Sequence, residues 1–157
     1  EGAMTPYKIL RYCLAHLDGT VLVNSWGERC VFYNPDGKLK RGVYVLTVKE
    51  RDGGNDKSSR LDREGIYRVN LGLRRSTFSQ LFGSLPKRPA KGGVIDMEDD
   101  FSAVNTLLPH PVYGWMGWIC ALNPDENRFE ELKPLVWEAY EYAKEKYAGR
   151  KVPPGRT

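Results

Sequence analysis

The polar side chains best placed for chemistry follow an apolar strand in the segment 61–83, where the chain turns into a short helix. Alternation of apolar and polar residues over 66–71 predicts a half-buried strand whose polar face is available for contacts. The turn after this strand adds two adjacent arginines. We therefore predict a binding edge on this segment. Its candidate residues are Arg68, Asn70, Arg74 and Arg75.

A second candidate site is the loop at 110–115, which reads His-Pro-Val-Tyr-Gly-Trp. Aromatic side chains around one titratable group are how small-ligand pockets are lined, so His110, Tyr113 and Trp115 are candidate binding residues. The alternative is structural. In that interpretation the prolines set the turn, and the two aromatic residues close the edge of the core. We favour the structural interpretation and keep the pocket as a hypothesis.

The charge of the chain is unevenly distributed. Between Lys38 and Lys91 there are 14 basic and 5 acidic residues, a local charge of +9, whereas the rest of the chain has 10 basic and 15 acidic residues, or −5. Proteins that bind nucleic acid concentrate basic charge on one surface because they neutralise phosphates. The alternative is a solvated face, since the net charge is only +4 and no DNA or RNA signature is present.

Patterns for catalysis and metal binding are missing from the sequence. No glycine-rich phosphate loop follows a strand, no nucleophile elbow is present, and no Ser-His-Asp set can be assembled. His16 and His110 are the only histidines and lie on different predicted elements, so there is no metal-ligand spacing. We predict that the protein is not an enzyme and has neither a metal site nor a cofactor.

Three other groups of reactive side chains receive structural interpretations. The carboxylates at 96–100 suit a divalent cation, but we prefer an acidic loop that caps the next segment. Asp62 and Arg63 are better explained as an ion pair or loop anchor than as an acid and its partner. The cysteines are odd in number, far apart and set among apolar neighbours, so they are predicted to be small core residues. They are Cys13, Cys30 and Cys120.

These residues need elements that position them, and periodicity predicts most of those elements. Apolar spacing and capping predict a helix over 6–17, a helix that is capped by Ser76 or Thr77 and stopped by Gly83, and a last helix that begins near Lys133 and stops at Gly149. Runs of β-branched and aromatic residues predict the strands. The predicted strands are 20–23, 29–33, 43–49, 66–71 and a central strand at 115–122.

The remaining segments have weaker signals. Residues 51–60 contain no apolar residue and are predicted to form an exposed, mobile loop, and 84–93 a second exposed loop. A brief extended piece is expected at 94–97, a weak helix at 101–108, and a turn at 128–131 before the last helix.

Length and composition favour one globular α+β domain over 4–149, with a mostly antiparallel sheet and helices packed on one face. The chain has 157 residues, of which 41% are hydrophobic and 28% charged. We expect residues 1–3 to be left from expression, the tail 150–157 to be disordered, and the protein to be cytoplasmic without a membrane segment.

Short motifs spread along the chain carry a family resemblance. They are LDREGIYRVNLG at 61–72, TF and LFG within 77–83, HPVYG at 110–114, Trp118, and LNP at 122–124. Over roughly residues 5–148 the chain resembles a bacterial family of unknown function. That family is similar in outline to MmcQ/YjbR-like proteins, whose α+β fold resembles frataxin and has been described as a double-wing DNA-binding arrangement. The resemblance implies this fold and DNA binding.

The sequence therefore predicts a non-catalytic binding or interaction module whose partner is an unknown small ligand or protein. The alternative is nucleic-acid binding through the basic surface between Lys38 and Lys91. The oligomeric state is left open.

Overall fold

Residues 3–151 are described by the structure, a computed structural model. The helices are α1 (Pro6–His16), α2 (Arg75–Phe82) and α3 (Glu126–Lys151), and a 3₁₀ turn covers Gly114–Met116. The strands are β1 (Thr20–Ser25), β2 (Glu28–Tyr33), β3 (Val43–Lys49), β4 (Arg68–Gly72), β5 (Leu107–Pro109) and β6 (Trp118–Leu122).

One six-stranded sheet has the order β1-β2-β3-β4-β6-β5, and all neighbouring strands are antiparallel. The α+β class and the antiparallel sheet predicted from the sequence are confirmed. β1 and β2 are joined by a two-residue turn in which Trp26 and Gly27 both have positive φ, the arrangement that suits a tight hairpin. A β-bulge at Val45 in β3 shifts the register against β2 between Val31 and Phe32.

The helices pack against one face of this sheet. Strand residues such as Val69, Leu71 and Ile119 belong to one large apolar cluster, and each of the three helices contributes to the same cluster. Cys120 and Leu122, which alternate with those β6 residues, belong to a second cluster with Leu61 and Leu108. Because successive side chains of a strand point to opposite faces, this second cluster lies on the face away from the helices. We call this face the outer face.

The last helix differs from its prediction at both ends. It begins at Glu126, not near Lys133, and Pro134 lies inside it. The early start is stabilised because Asp125 accepts the backbone N–H of Arg128 at 2.7 Å, while Phe129 and Leu132 are buried. A proline within the helix removes one backbone hydrogen bond, and this anchored first turn offsets that loss.

At its C-terminal end the helix passes through Gly149 to Lys151, so the predicted stop at Gly149 is wrong and residues 150–151 of the predicted tail continue the helix. The remainder of the predicted tail, 152–157, lies outside the described residues.

Residues 101–108 do not form the predicted helix. Leu107–Pro109 is instead β5, which pairs with β6 and buries Leu108. The extended piece at 94–97 is not a strand, although Ile95 is buried and its N–H donates to the Pro111 carbonyl at 2.8 Å. The strand expected from 115 begins only at Trp118, and it lies between β4 and β5.

The cap of α2 was also predicted wrongly. Arg74 holds the cap position and makes no side-chain capping bond. Thr77, one of the two predicted caps, donates its hydroxyl to Glu138 at 2.6 Å and so ties α2 to α3. Gly83 does end the helix, with φ 90°.

Gly117 is a glycine that both its backbone conformation and its surroundings require. Its φ is +102°, and an added Cβ would lie 2.8 Å from the Leu73 carbonyl oxygen. We expect Gly117→Ala to lower the free energy of unfolding by about 2 kcal/mol, because the left-handed conformation and the backbone contact both oppose a side chain. Urea denaturation followed by tryptophan fluorescence measures this. The control is Gly149→Ala, where nothing lies within 4 Å and no loss is expected. Equal stability of G117A and the unaltered protein would contradict the prediction.

Candidate functional site

Arg68 and Asn70 lie on the outer face of β4, but they are not exposed. Both residues are completely buried, at 0% exposure. The prediction that they face outward is wrong because the segment 52–63, which follows β3, folds back over this part of the sheet. The strand alternation was correct, and the error concerned what covers its polar face.

Arg68 is the centre of a buried hydrogen-bond network. Its Nε donates to Asn70 Oδ1 at 2.7 Å, and Nη1 donates to Asp56 Oδ1 at 3.0 Å and to Ser59 Oγ at 2.9 Å. Nη2 donates to Asp56 Oδ2 at 2.6 Å, which makes the ion pair bidentate. Asn70 extends the network to β3, because its Nδ2 donates a hydrogen bond to Thr47 Oγ1 at 2.9 Å.

The electrostatics of this ion pair favour the charged forms. Burial by itself raises the pKa of Asp56, but the hydrogen bonds and positive charge of Arg68 outweigh it, so the pKa is lowered. Burial likewise opposes the charge of Arg68, and Asp56 more than compensates. The buried guanidinium is therefore neutralised locally and is not available to an external phosphate.

The covering segment is held in place by hydrogen bonds between its charged side chains and backbone groups. Asp52 Oδ1 accepts the N–H of Leu61 at 2.7 Å, and Asp62 Oδ1 accepts the N–H of Asp52 at 3.0 Å. Arg63 donates to the carbonyls of residues 59, 60 and 102. The prediction of a simple exposed loop at 51–60 is wrong, because Ser59 is buried within it. Asp62 and Arg63 act as loop anchors.

His110 closes the network from the loop after β5. It is 3% exposed, and its Nδ1 accepts the backbone N–H groups of Val112 at 3.1 Å and Tyr113 at 3.0 Å. Because backbone N–H groups are fixed donors, the proton of the neutral ring lies on Nε2, 3.3 Å from Arg68 Nη2. Burial, followed by the charge of Arg68, lowers the pKa of His110 well below its usual value.

A cavity of about 410 Å³ opens beside this network. Cys30 and Thr47, which are paired across β2 and β3, line it together with His110. Its aromatic wall includes Tyr44 and Trp118, whose ring centroids are 5.9 Å apart in an edge-to-face arrangement.

The mouth of the cavity combines exposed apolar residues with charge. Tyr113 is 46% exposed, and Met116 and the hairpin residue Trp26 are also exposed. Lys146 and Arg150, from the end of α3, line the cavity, and Arg150 Nη1 lies 3.5 Å from the Gly42 carbonyl oxygen. The arrangement suits a ligand with an apolar body and a polar end.

The cysteine that lines the cavity is not activated as a nucleophile. Burial, and secondarily Glu28, raises the pKa of Cys30 to about 11, so its thiol is protonated at neutral pH. All three cysteines are free and buried, which confirms the prediction that they are core residues. Within residues 3–151, no group of three or more His, Cys, Asp or Glu side chains is arranged to hold a metal ion.

The structure brings together only part of the predicted site. Arg68, Asn70 and His110 meet in the network, and Tyr113 lies beside His110 with ring centroids 5.1 Å apart. The other three predicted residues lie elsewhere. Arg74 pairs with Glu145 and Glu138 on α3, Arg75 is exposed at the start of α2, and Trp115 stacks with Arg88 at 4.9 Å.

Several important residues were missed by sequence reasoning. Asp56 and Ser59 were assigned to a loop, although a buried arginine needs a carboxylate partner and Asp56 is the acid that meets it. Tyr44 and Thr47 share the outer face only because the bulge at Val45 changes the alternation of β3. No signal in the sequence indicated that bulge.

The predicted basic surface is smaller than its sequence suggests. Lys49 is buried and lies 3.9 Å from Glu28, and Arg68 is buried with Asp56. An exposed basic group, Lys38, Lys40 and Arg41, directly precedes the cavity residue Gly42 in the chain. None of the helices described is long and apolar enough to cross a membrane.

The fold and the site define a small α+β protein with helices on one face of an antiparallel sheet and a ligand-sized cavity on the other. A family model matches residues 4–152, and the chain belongs to that family, the family of unknown function DUF6194. No curated protein and no solved structure matches the chain. The predicted membership of a family of unknown function is confirmed, while the outline similarity to MmcQ/YjbR-like proteins stays a prediction.

Proposed function

We propose that this protein is a non-catalytic binding module that holds a small molecule in the cavity on the outer face. The observation that carries the proposal is the cavity itself, whose volume of about 410 Å³ lies in the usual range of ligand sites. Its aromatic wall supplies contact area, and the fully bonded Arg68 network behind it supplies a rigid support.

The state of the polar groups supports binding in preference to catalysis. The Cys30 thiol is protonated at neutral pH, and His110 Nδ1, the unprotonated nitrogen of the neutral ring, already accepts two backbone N–H groups. The Thr47 hydroxyl accepts a hydrogen bond from Asn70 and has no base beside it in the part of the chain described. A nucleophile therefore lacks the adjacent base that would activate it.

Nucleic-acid binding is the second candidate function. The exposed basic group Lys38, Lys40 and Arg41 lies close to the cavity, because Arg41 influences the ionisation of the cavity residues Cys30 and Tyr44. The outline similarity to the MmcQ/YjbR-like proteins favours the same candidate. The small-molecule proposal is preferred for two reasons. The cavity is concave, and Lys49 and Arg68, two of the basic residues between Lys38 and Lys91, are buried.

A thermal-shift screen with a metabolite library tests the proposal, because a ligand that binds only the folded state raises the melting temperature. We expect Tyr113→Ala to weaken binding of a confirmed hit about tenfold, since it removes an aromatic wall. Tyr7→Ala is the matched control, because Tyr7 is 62% exposed on α1, outside the cavity.

Two results would contradict the proposal: no compound stabilises the protein, or Y113A binds as well as Y7A. The same samples discriminate the second candidate. Tryptophan fluorescence titrated with duplex DNA responds at low salt and weakens at high salt if nucleic acid is the partner.

A further inference from the structure

The charges around the cavity do not balance. Behind the cavity, Arg68 is neutralised by Asp56, and Glu28, the carboxylate that lines the cavity, lies 3.9 Å from Lys49. At the mouth, Lys146 and Arg150 have no carboxylate within ion-pair distance among residues 3–151. The cavity therefore carries unbalanced positive charge at one end.

Lys146 shows that this charge is not simply solvated. The side chain is half-buried, and its Nζ lies 4.2 Å from the centroid of the Tyr142 ring. Burial and the charge of Arg150 both lower the pKa of Lys146. Lys146 is half-buried and close enough to the exposed Arg150 for the two charges to repel, so an anion that reaches the pair stabilises both cations.

The inner part of the cavity offers further hydrogen bonds. Ser25, only 8% exposed, lines the cavity, and its Oγ has no hydrogen-bond partner within the described chain. His110 also lines the cavity, and its Nε2–H faces the Arg68 guanidinium, a donor, where an acceptor is needed. A ligand that supplies oxygen acceptors satisfies groups that the protein leaves without partners.

The opposite wall is shaped for a flat apolar group. Trp118 packs directly on Gly72, where an added Cβ would lie 3.0 Å from the indole ring, so the backbone of β4 fixes the ring from behind. Tyr44 meets the same indole edge-to-face, and the exposed ring of Tyr113 lies across from His110. Aromatic rings of a ligand gain both area burial and stacking against such walls.

We propose that the ligand is a small planar anion, an aromatic ring bearing a carboxylate or a phosphate. Its anionic group binds Lys146 and Arg150, and its ring lies against Tyr44, Tyr113 and Trp118. This inference rests on the proposed function, because it names the chemical class of molecule that the cavity takes.

Matched probe pairs test the charge requirement by isothermal titration calorimetry. The first pair is 2-naphthoate and its neutral amide, 2-naphthamide, and the second is AMP and adenosine. We expect the anion of at least one pair to bind about tenfold more tightly than its neutral partner, since it forms charge pairs with the half-buried Lys146 and with Arg150. The pair that responds shows whether the anion is a carboxylate or a phosphate.

The double variant Lys146→Gln/Arg150→Gln is expected to remove this preference and leave binding of the neutral partner unchanged. Lys87→Gln/Lys91→Gln removes the same charge from an exposed loop outside the cavity and should keep the preference. Circular dichroism shows that both variants are folded.

The outcomes separate this inference from the proposed function. Neutral and anionic partners that bind equally, with loss of both in Y113A, overturn the charge requirement and leave the cavity as a binding site. An anion preference that survives in K146Q/R150Q overturns the assigned contacts. If no probe and no library compound binds, the proposed function fails as well.

Discussion

Replacing Arg68 by methionine is expected to lower the free energy of unfolding by about 3–5 kcal/mol. Methionine retains much of the buried apolar stem, so the main loss is electrostatic. Asp56 keeps its charge while only 14% of its side chain is exposed, and Asn70 and Ser59 lose their donor. A buried carboxylate without a partner is among the most costly single defects that a protein core can carry.

Most of this loss in the free energy of unfolding comes from the charged residue that is left without its partner, and a double-mutant cycle tests this. Asp56→Leu alone should destabilise the protein by a similar amount, because it leaves a buried guanidinium unpaired. The double variant R68M/D56L should be less destabilised than the sum of the two single variants by at least about 2 kcal/mol, since no isolated charge remains. Urea denaturation of the four proteins, followed by tryptophan fluorescence, measures the coupling.

Arg29 and Glu50 provide the control pair. They form an ion pair in which Arg29 Nε and Nη2 both donate to Glu50 Oε2, and the two side chains are 36% and 47% exposed. Arg29→Met should change stability by less than about 1 kcal/mol, because water and salt screen an exposed pair. If R68M costs no more than R29M, the buried network is not a structural centre of the fold.

The accuracy of the fold prediction depended on how local each signal was. Thr5 caps α1 by accepting the Lys8 N–H at 3.1 Å, Pro6 opens the helix, and β3 has the predicted bounds 43–49. These features are specified within a few neighbouring residues. Pro134 was interpreted from the same local rule and gave the wrong start for α3, because burial of Phe129 and Leu132 overrode it.

The candidate site was harder to predict because its residues are brought together by the pairing register of strands that are distant in the sequence. Cys120 of β6 pairs with Asn70 of β4 on one side and with Leu108 of β5 on the other. Because Leu108 lies in the same cross-strand row of the sheet as Asn70, the loop that follows β5 lies next to the Arg68 network. His110 belongs to that loop. A helix was predicted at 101–108, and that error concealed the strand that joins the two halves of the site.

The alternation of apolar and polar residues in β4 was likewise insufficient to predict the site. A period of two shows which residues share a face of a strand, but it does not show whether that face is covered. Arg68 and Asn70 were correctly grouped, and the cover over them comes from a segment whose apolar anchor is Leu61 and whose other bonds are to backbone groups and to the Arg68 side chain. Such bonds leave no hydrophobic pattern in the sequence.

His110 is expected to make the protein sensitive to mild acid. Its pKa in the folded state lies well below the value of about 6.5 for an unfolded chain, first because of burial and then because of Arg68, with a smaller contribution from Lys49 and an opposing one from Asp56. Below pH 6.5 the unfolded chain therefore binds a proton that the folded protein excludes. Stability falls as the pH falls, by about 1.4 kcal/mol per unit, or about 2–3 kcal/mol between pH 6.5 and 4.5.

Asp56 acts in a separate window. Its lowered pKa contributes stability that is present above the ordinary carboxyl value and is lost only at lower pH, so the slope between pH 6.5 and 4.5 reports chiefly on His110. Urea denaturation at pH 7.5, 6.5, 5.5 and 4.5 measures the slope.

The variant His110→Asn isolates the contribution of the imidazole. Its side-chain oxygen is positioned to accept the N–H groups that His110 Nδ1 accepts, at 3.1 and 3.0 Å, but it does not titrate. We expect the acid slope of H110N to be flatter than that of the unaltered protein, whereas His16→Asn, on the exposed surface of α1, should retain it. Equal slopes in H110N and the unaltered protein would show that the acid sensitivity arises elsewhere. Because His110 lines the cavity, the same variant also shows whether its Nε2–H contributes to ligand binding at pH 7.5.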